Sequence, residues 1–137
     1  MKKKLTFWFV ALLILNFGYS QKGKTYTSLE EALKNPDLVY KLDLYFQDIT
    51  TLPESIGQFK NLTVLELSGN QLTSLPESIG QITNLTWLSL HGNGLTSLPE
   101  SFEKLTNLKN LVLVYNEISE KEQEKIKKLL PNCLIVF

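Results

Sequence analysis

Gly18-Tyr19-Ser20-Gln21-Lys22-Gly23-Lys24-Thr25 reproduces the spacing Gly-x-x-x-x-Gly-Lys-Thr, with which a glycine-rich loop cradles phosphates. That chemistry needs a loop that leaves a strand and opens a helix, so that backbone N–H groups surround the anion. Here the pattern straddles a cleavage site: Gly18 and Ser20 are the small residues at −3 and −1 of a cut before Gln21. Its first glycine would be lost with a leader, and no acid on a downstream hydrophobic strand is available for magnesium, so the match is read as coincidence. His91 is the single histidine and Cys133 the single cysteine. A zinc site would have to draw on carboxylates or the distant thiol, and an internal disulfide is impossible. A Ser–His–acid relay would have to use His91 as its base. The best acidic neighbours of His91, Asp43 and Glu66, share an exposed surface with it, not a pocket. No catalytic residue, cofactor or metal is therefore expected. Cys133 reads as a small hydrophobe within the apolar run Cys133–Phe137, with pairing to another chain as the alternative.

The ends and the charge narrow the function classes further. Lys2, Lys3 and Lys4 precede an almost unbroken apolar run from Leu5 to Phe17, too short for a comfortable membrane span and laid out like a secretory leader. Residues 1–20 are expected to be removed on export to the periplasm or the medium, an uncleaved anchor being the competing reading. Loss of three lysines leaves 11 basic residues against 14 acidic ones, and no arginine occurs anywhere. A mildly acidic chain without arginine's planar fork is poorly suited to nucleic acid.

The elements that must position every candidate come from a self-repeat. Val39, Leu62, Leu85 and Leu108 open copies 23 residues apart, at 39–61, 62–84, 85–107 and, in part, 108–118. Each opens Leu-x-x-Leu-x-Leu, which places alternate apolar side chains on one side of a short strand, and each strand is expected to pair with its equivalent in the next copy. Asn70, Asn93 and Asn116 follow, residues able to donate and accept where the chain turns inward; Gln47 stands there in the first copy. Leu-Pro-Glu-Ser-Ile/Phe then predicts a short helix with proline in its first turn. Asn61, Asn84 and Asn107 precede the strands. The first two fit the glycosylation pattern, but the recurrence at Asn107 without it argues for a structural role.

These residues resemble the leucine-rich repeat family in its typical 23-residue class, over Val39 to Ile118. The resemblance implies a right-handed α/β solenoid, a horseshoe with a concave parallel sheet of one strand per repeat, and a role in protein–protein recognition. A stack needs covered ends. Ser28-Leu29-Glu30-Glu31 and Ser119-Glu120-Lys121-Glu122 read as capping boxes of two terminal helices. The first lies within the segment 21–38, where Leu29, Ala32 and Leu33 can cover the first strand. The second lies within 119–137, where a helix stopped by Pro131 is followed by a closing strand.

Positions three, five, seven and eight of each copy should face the concave side. From these, Tyr45, Phe46, Val64, Glu66, Trp87, His91, Val112, Val114 and Tyr115 are the candidate binding residues. Trp87 is expected between Val64 and Asn110, His91 beside Val114, and the outer aromatics around a groove floored by Gly69 and Gly92. The partner expected is a protein or peptide held by a monomeric, non-catalytic domain. The alternative is a carbohydrate or cell-envelope polymer stacked on Trp87 and Tyr45. No nucleic acid and no lasting membrane insertion after cleavage are expected.

Overall fold

The computed structural model describes residues 22–137. The expected leader and the start of the glycine-rich pattern lie outside those residues. Six strands form one parallel sheet in chain order: β1 (Thr25–Tyr26), β2 (Lys41–Asp43), β3 (Val64–Glu66), β4 (Trp87–Ser89), β5 (Asn110–Val112) and β6 (Leu134–Val136). From β2 to β5 the register advances by one repeat per strand, so Leu42, Leu65, Leu88 and Leu111 are neighbours and all are buried. Leu44, Leu67, Leu90 and Leu113 continue the same inward row, which is the alternation of an extended segment carried one step further. Strand β1 was not anticipated. It lies outside the 23-residue period and pairs Thr25 with Lys41 and Tyr26 with Leu42. Lys24 and Thr25 therefore lead into a strand, the reverse of the strand-to-helix order a phosphate loop requires.

Opposite the sheet, each repeat returns through a five-residue 3₁₀ helix, at Glu54–Gln58, Glu77–Gln81 and Glu100–Lys104. Pro53, Pro76 and Pro99 sit one position earlier than expected: they are the extended residues just before each helix, with φ between −65° and −74°. Their fixed φ suits this conformation as well as a first turn. Consecutive 3₁₀ helices are tied by the repeated Glu-Ser pair. Glu54 accepts a hydrogen bond from the Ser78 backbone N–H at 3.3 Å, and Glu77 one from Ser101 at 3.2 Å. In the last copy the equivalent Glu100 instead pairs with Lys125 of the C-terminal helix at 2.6 Å.

Two asparagine ladders hold the repeats in register. Asn70 Oδ1 accepts from the N–H groups of Gln47 (3.1 Å) and Ile49 (3.0 Å), while its Nδ2 donates to the Leu44 and Leu67 carbonyls at 2.9 Å. Asn93 and Asn116 repeat both carbonyl bonds one and two copies on, with a single N–H, of Leu72 and of Leu95, on the amide oxygen. Gln47 departs from it, its longer side chain reaching the Thr27 carbonyl at 2.7 Å. In the second ladder, Asn61, Asn84 and Asn107 donate to the carbonyls of Asp37, Lys60 and Thr83, each at 2.8 Å.

Helix α1 (Leu29–Leu33) buries Ala32 completely, and helix α2 (Glu120–Leu129) buries Ile126. Each expected capping box is half made. Ser28 and Ser119 accept from the N–H groups of Glu31 and Glu122, both at 3.3 Å. The return bonds are missing because Glu31 turns to Lys24 at 2.7 Å, and Glu122 Oε1 is buried without a partner. Among the described residues, no helix is long and apolar enough to cross a membrane.

Cys133 is half-buried beside Leu130 and Leu134, and burial pushes its thiol up to about 11. Against the ordinary value of 9.0, about a hundredfold less thiolate is present at pH 8, and the thiolate is the reactive form. Alkylation of the folded chain with iodoacetamide at pH 8 is expected to be on the order of a hundred times slower than that of the urea-unfolded chain. Equal rates would show that the thiol is not held in an apolar setting.

Candidate binding face

The face turned away from the core is read row by row across the strands. Position three carries Lys41, Val64, Trp87, Asn110 and Leu134, and position five carries Asp43, Glu66, Ser89, Val112 and Val136. Trp87 lies between Val64 and Asn110 as the repeat requires, and it is only half-buried. Nothing in the core explains a large indole there, because the alternation that sends Leu88 inward sends Trp87 outward. Val64, Glu66, His91, Val112 and Val114 are likewise partly exposed, and Tyr45, Phe46 and Tyr115 stand clear of the surface. All nine candidate residues thus belong to the exposed sheet face or the loops along its rim.

Two expectations about this face need correction. Ser68, at position seven of the second copy, and Ser89, at position five of the third, should be exposed by the repeat's facing but are buried, their hydroxyls sharing a 2.6 Å hydrogen bond. The groove floored by two glycines is half filled. The Phe46 ring lies directly over Gly69, where any side chain would collide with it, leaving Gly92 as the open floor. Position eight is left-handed in every repeat, at Phe46 (φ 49°), Gly69 (φ 67°), Gly92 (φ 64°) and Tyr115 (φ 56°). Glycine adopts this region freely, whereas a bulky aromatic residue does so at a cost of about 1–2 kcal/mol. Phe46 and Tyr115 are held there, 67% and 78% exposed. The Phe46 ring meets Tyr45 edge-on at 4.5 Å, and Tyr115 meets His91 edge-on at 5.2 Å.

The polar groups are divided unevenly. Asp43 accepts from its own strand's Tyr45 N–H at 3.1 Å, and Glu66 from Ser68 N–H at 2.7 Å. Among the described residues no hydrogen bond or ion pair joins His91 to either acid. Sequence reasoning missed Leu134 and Val136. They extend the apolar part of the face and are 65% and 45% exposed. The alternation in Cys133–Phe137 would have revealed them, had the closing strand been read by facing as the repeats were.

The leucine-rich repeat region family matches residues 3–131. The chain is a leucine-rich repeat protein. Among solved structures it is 48% identical to a leucine-rich repeat protein of Leptospira interrogans, with a TM-score of 0.76 over 82% of this chain and 28% of that one. It is 30% identical to the leucine-rich repeat ectodomain of the receptor kinase SOBIR1 from Arabidopsis thaliana, with a TM-score of 0.50 over 56% and 44% of the two chains. It is 25% identical to the leucine-rich repeat domain of APL1B, with a TM-score of 0.70 over 93% and 40%. The chain spans less than half the length of each of these structures. No curated protein sequence matches it closely enough to count as a relative. The solenoid with its open parallel sheet is thus the fold of this leucine-rich repeat chain.

Proposed function

We propose that this leucine-rich repeat chain is an exported, non-catalytic recognition module that holds a protein or peptide segment against its sheet face. The observation that carries the reading is Trp87, partly exposed at the centre of the face with Val64 and Asn110 on either side. Tryptophan and tyrosine dominate the energetics of recognition because they bury much area at small entropic cost. The sheet supports them rigidly, through two ladders of asparagines, so little ordering is needed on binding. Family membership agrees with a binding role, and the SOBIR1 structure is that of an ectodomain.

Cross-linking pull-down with the full chain, followed by partner identification, supplies the ligand for the decisive measurement. Trp87→Ala is expected to weaken its binding at least thirtyfold, about 2 kcal/mol. The urea unfolding midpoint should stay close to that of the parent. Undiminished binding would move the interface off the sheet face, and unfolding would return Trp87 to the core. A glycan-array signal lost in the same variant would reassign the face to carbohydrate.

A further inference from the structure

The sheet face has two chemically distinct halves, and their spacing describes the segment it fits. At positions three and five of the strands, the charged side chains Lys41, Asp43 and Glu66 all stand on β2 and β3, and the apolar ones other than Val64 stand on β4 to β6. Asp43 and Glu66 are direct neighbours across adjacent strands, a like-charge pairing that works against the sheet. Neither is neutralised: the ion pairs among the described residues are Lys24–Glu31, Lys34–Glu30, Lys125–Glu100 and Lys127–Glu124, so Lys41 pairs with neither acid. Each carboxylate accepts one hydrogen bond from its own strand's backbone, which leaves further lone pairs facing outward. The two acids line a depression of about 270 Å³ together with Lys41, Val64 and Trp87, so the carboxylates there outnumber the lysine two to one. A cation entering there gains two carboxylates and an aromatic face together.

From this juxtaposition, and resting on the reading of the sheet face as a peptide site, we propose that the partner segment is extended and carries a lysine or arginine over Asp43 and Glu66. Apolar side chains two and four residues away, in either chain direction, then lie on the other half of the face. The spacing follows from two lengths. Strands lie about 4.8 Å apart and an extended chain advances about 3.3 Å per residue. Two residues therefore carry the segment from the β2–β3 carboxylates to β4, at the level of Ser89 and Trp87. Two more bring it to Val112 and toward Val136. Even spacing keeps all three side chains on the same side of the ligand strand. The charge commits the face to a basic segment, because Asp43 and Glu66 outnumber Lys41 in the depression and an acidic segment would add a third negative group there.

The test is selection of a displayed random heptapeptide library on the purified full chain, with enriched peptides synthesised and titrated by fluorescence anisotropy. Enriched peptides should carry lysine or arginine with leucine, valine, isoleucine or phenylalanine two and four residues away. The double variant Asp43→Asn/Glu66→Gln should bind them at least tenfold more weakly, with a flatter salt dependence and no loss of urea stability. Peptides without a basic residue, or bound equally by that double variant, overturn the inference; if Trp87→Ala still abolishes their binding, the sheet-face reading survives. Peptides indifferent to both variants, or no enrichment at all, overturn both. Sedimentation showing a dimer that Trp87→Ala disperses would give the face to a second copy and likewise end the proposal.

Discussion

Replacing Asn70 with alanine is expected to destabilise the chain by about 4 kcal/mol, a large share of the 5–15 kcal/mol typical of a small domain. The size follows from what one amide does. Asn70 is buried and spends its whole hydrogen-bonding capacity on backbone: two N–H groups of the preceding turn on its oxygen, and carbonyls of both its own and the preceding repeat on its nitrogen. Alanine strands three backbone groups, the Gln47 and Ile49 N–H and the Leu44 carbonyl, while the Leu67 carbonyl keeps its bond from Asn93; each costs roughly 1–3 kcal/mol when it stays dry, and partial access of water to the two N–H groups lowers the sum. Gln47→Ala is the comparison, since that side chain makes a single exposed bond to Thr27; its loss should cost no more than about 1 kcal/mol. Equilibrium urea unfolding followed by tryptophan fluorescence measures both. A loss below 1 kcal/mol at Asn70 would show that the turn relaxes and that the ladder does not fix the repeat register.

The repeated letters revealed that asparagine belongs at the turn, but not that its bonds reach back into the preceding copy, because that requires the register of neighbouring strands. Regularity made β2 to β5 legible, and departures from it concealed the two edges. Strand β1 pairs with β2 across 16 residues, and β6 with β5 across 24, with a helix taking the place of a repeat. Leu134 and Val136 therefore fell outside the candidate face although their alternation is plain. The shape of the face also depends on rotamers that no letter encodes: Phe46 folds over Gly69, and the Ser68 hydroxyl meets that of Ser89. Trp87 was found because its position breaks an otherwise bland row, and the same row shows the division between charged and apolar halves once the strands are laid side by side.

Gly80→Ala is expected to destabilise the chain by about 3 kcal/mol, the upper end of overpacking in a well-packed interior. Gly80 has ordinary backbone angles, so the reason is space and not conformational freedom. A Cβ there would overlap the backbone carbonyl of Ser101 in the next 3₁₀ helix, which cannot swing aside as a side-chain tip could. At Gly57 the corresponding Cβ would lie 2.8 Å from the Ser78 carbonyl oxygen. The third copy supplies the control within the same molecule. Its equivalent residue is Glu103, which is exposed because no further 3₁₀ helix packs beyond it. Glycine thus occurs where another 3₁₀ helix must approach, and a large charged residue where none does. Glu103→Ala should change stability by less than about 0.5 kcal/mol, as surface substitutions usually do. Urea midpoints for the two variants decide the matter. If Gly80→Ala is tolerated as well as Glu103→Ala, the 3₁₀ helices can separate freely, and close approach on the convex side does not set the spacing on which the opposite sheet face depends.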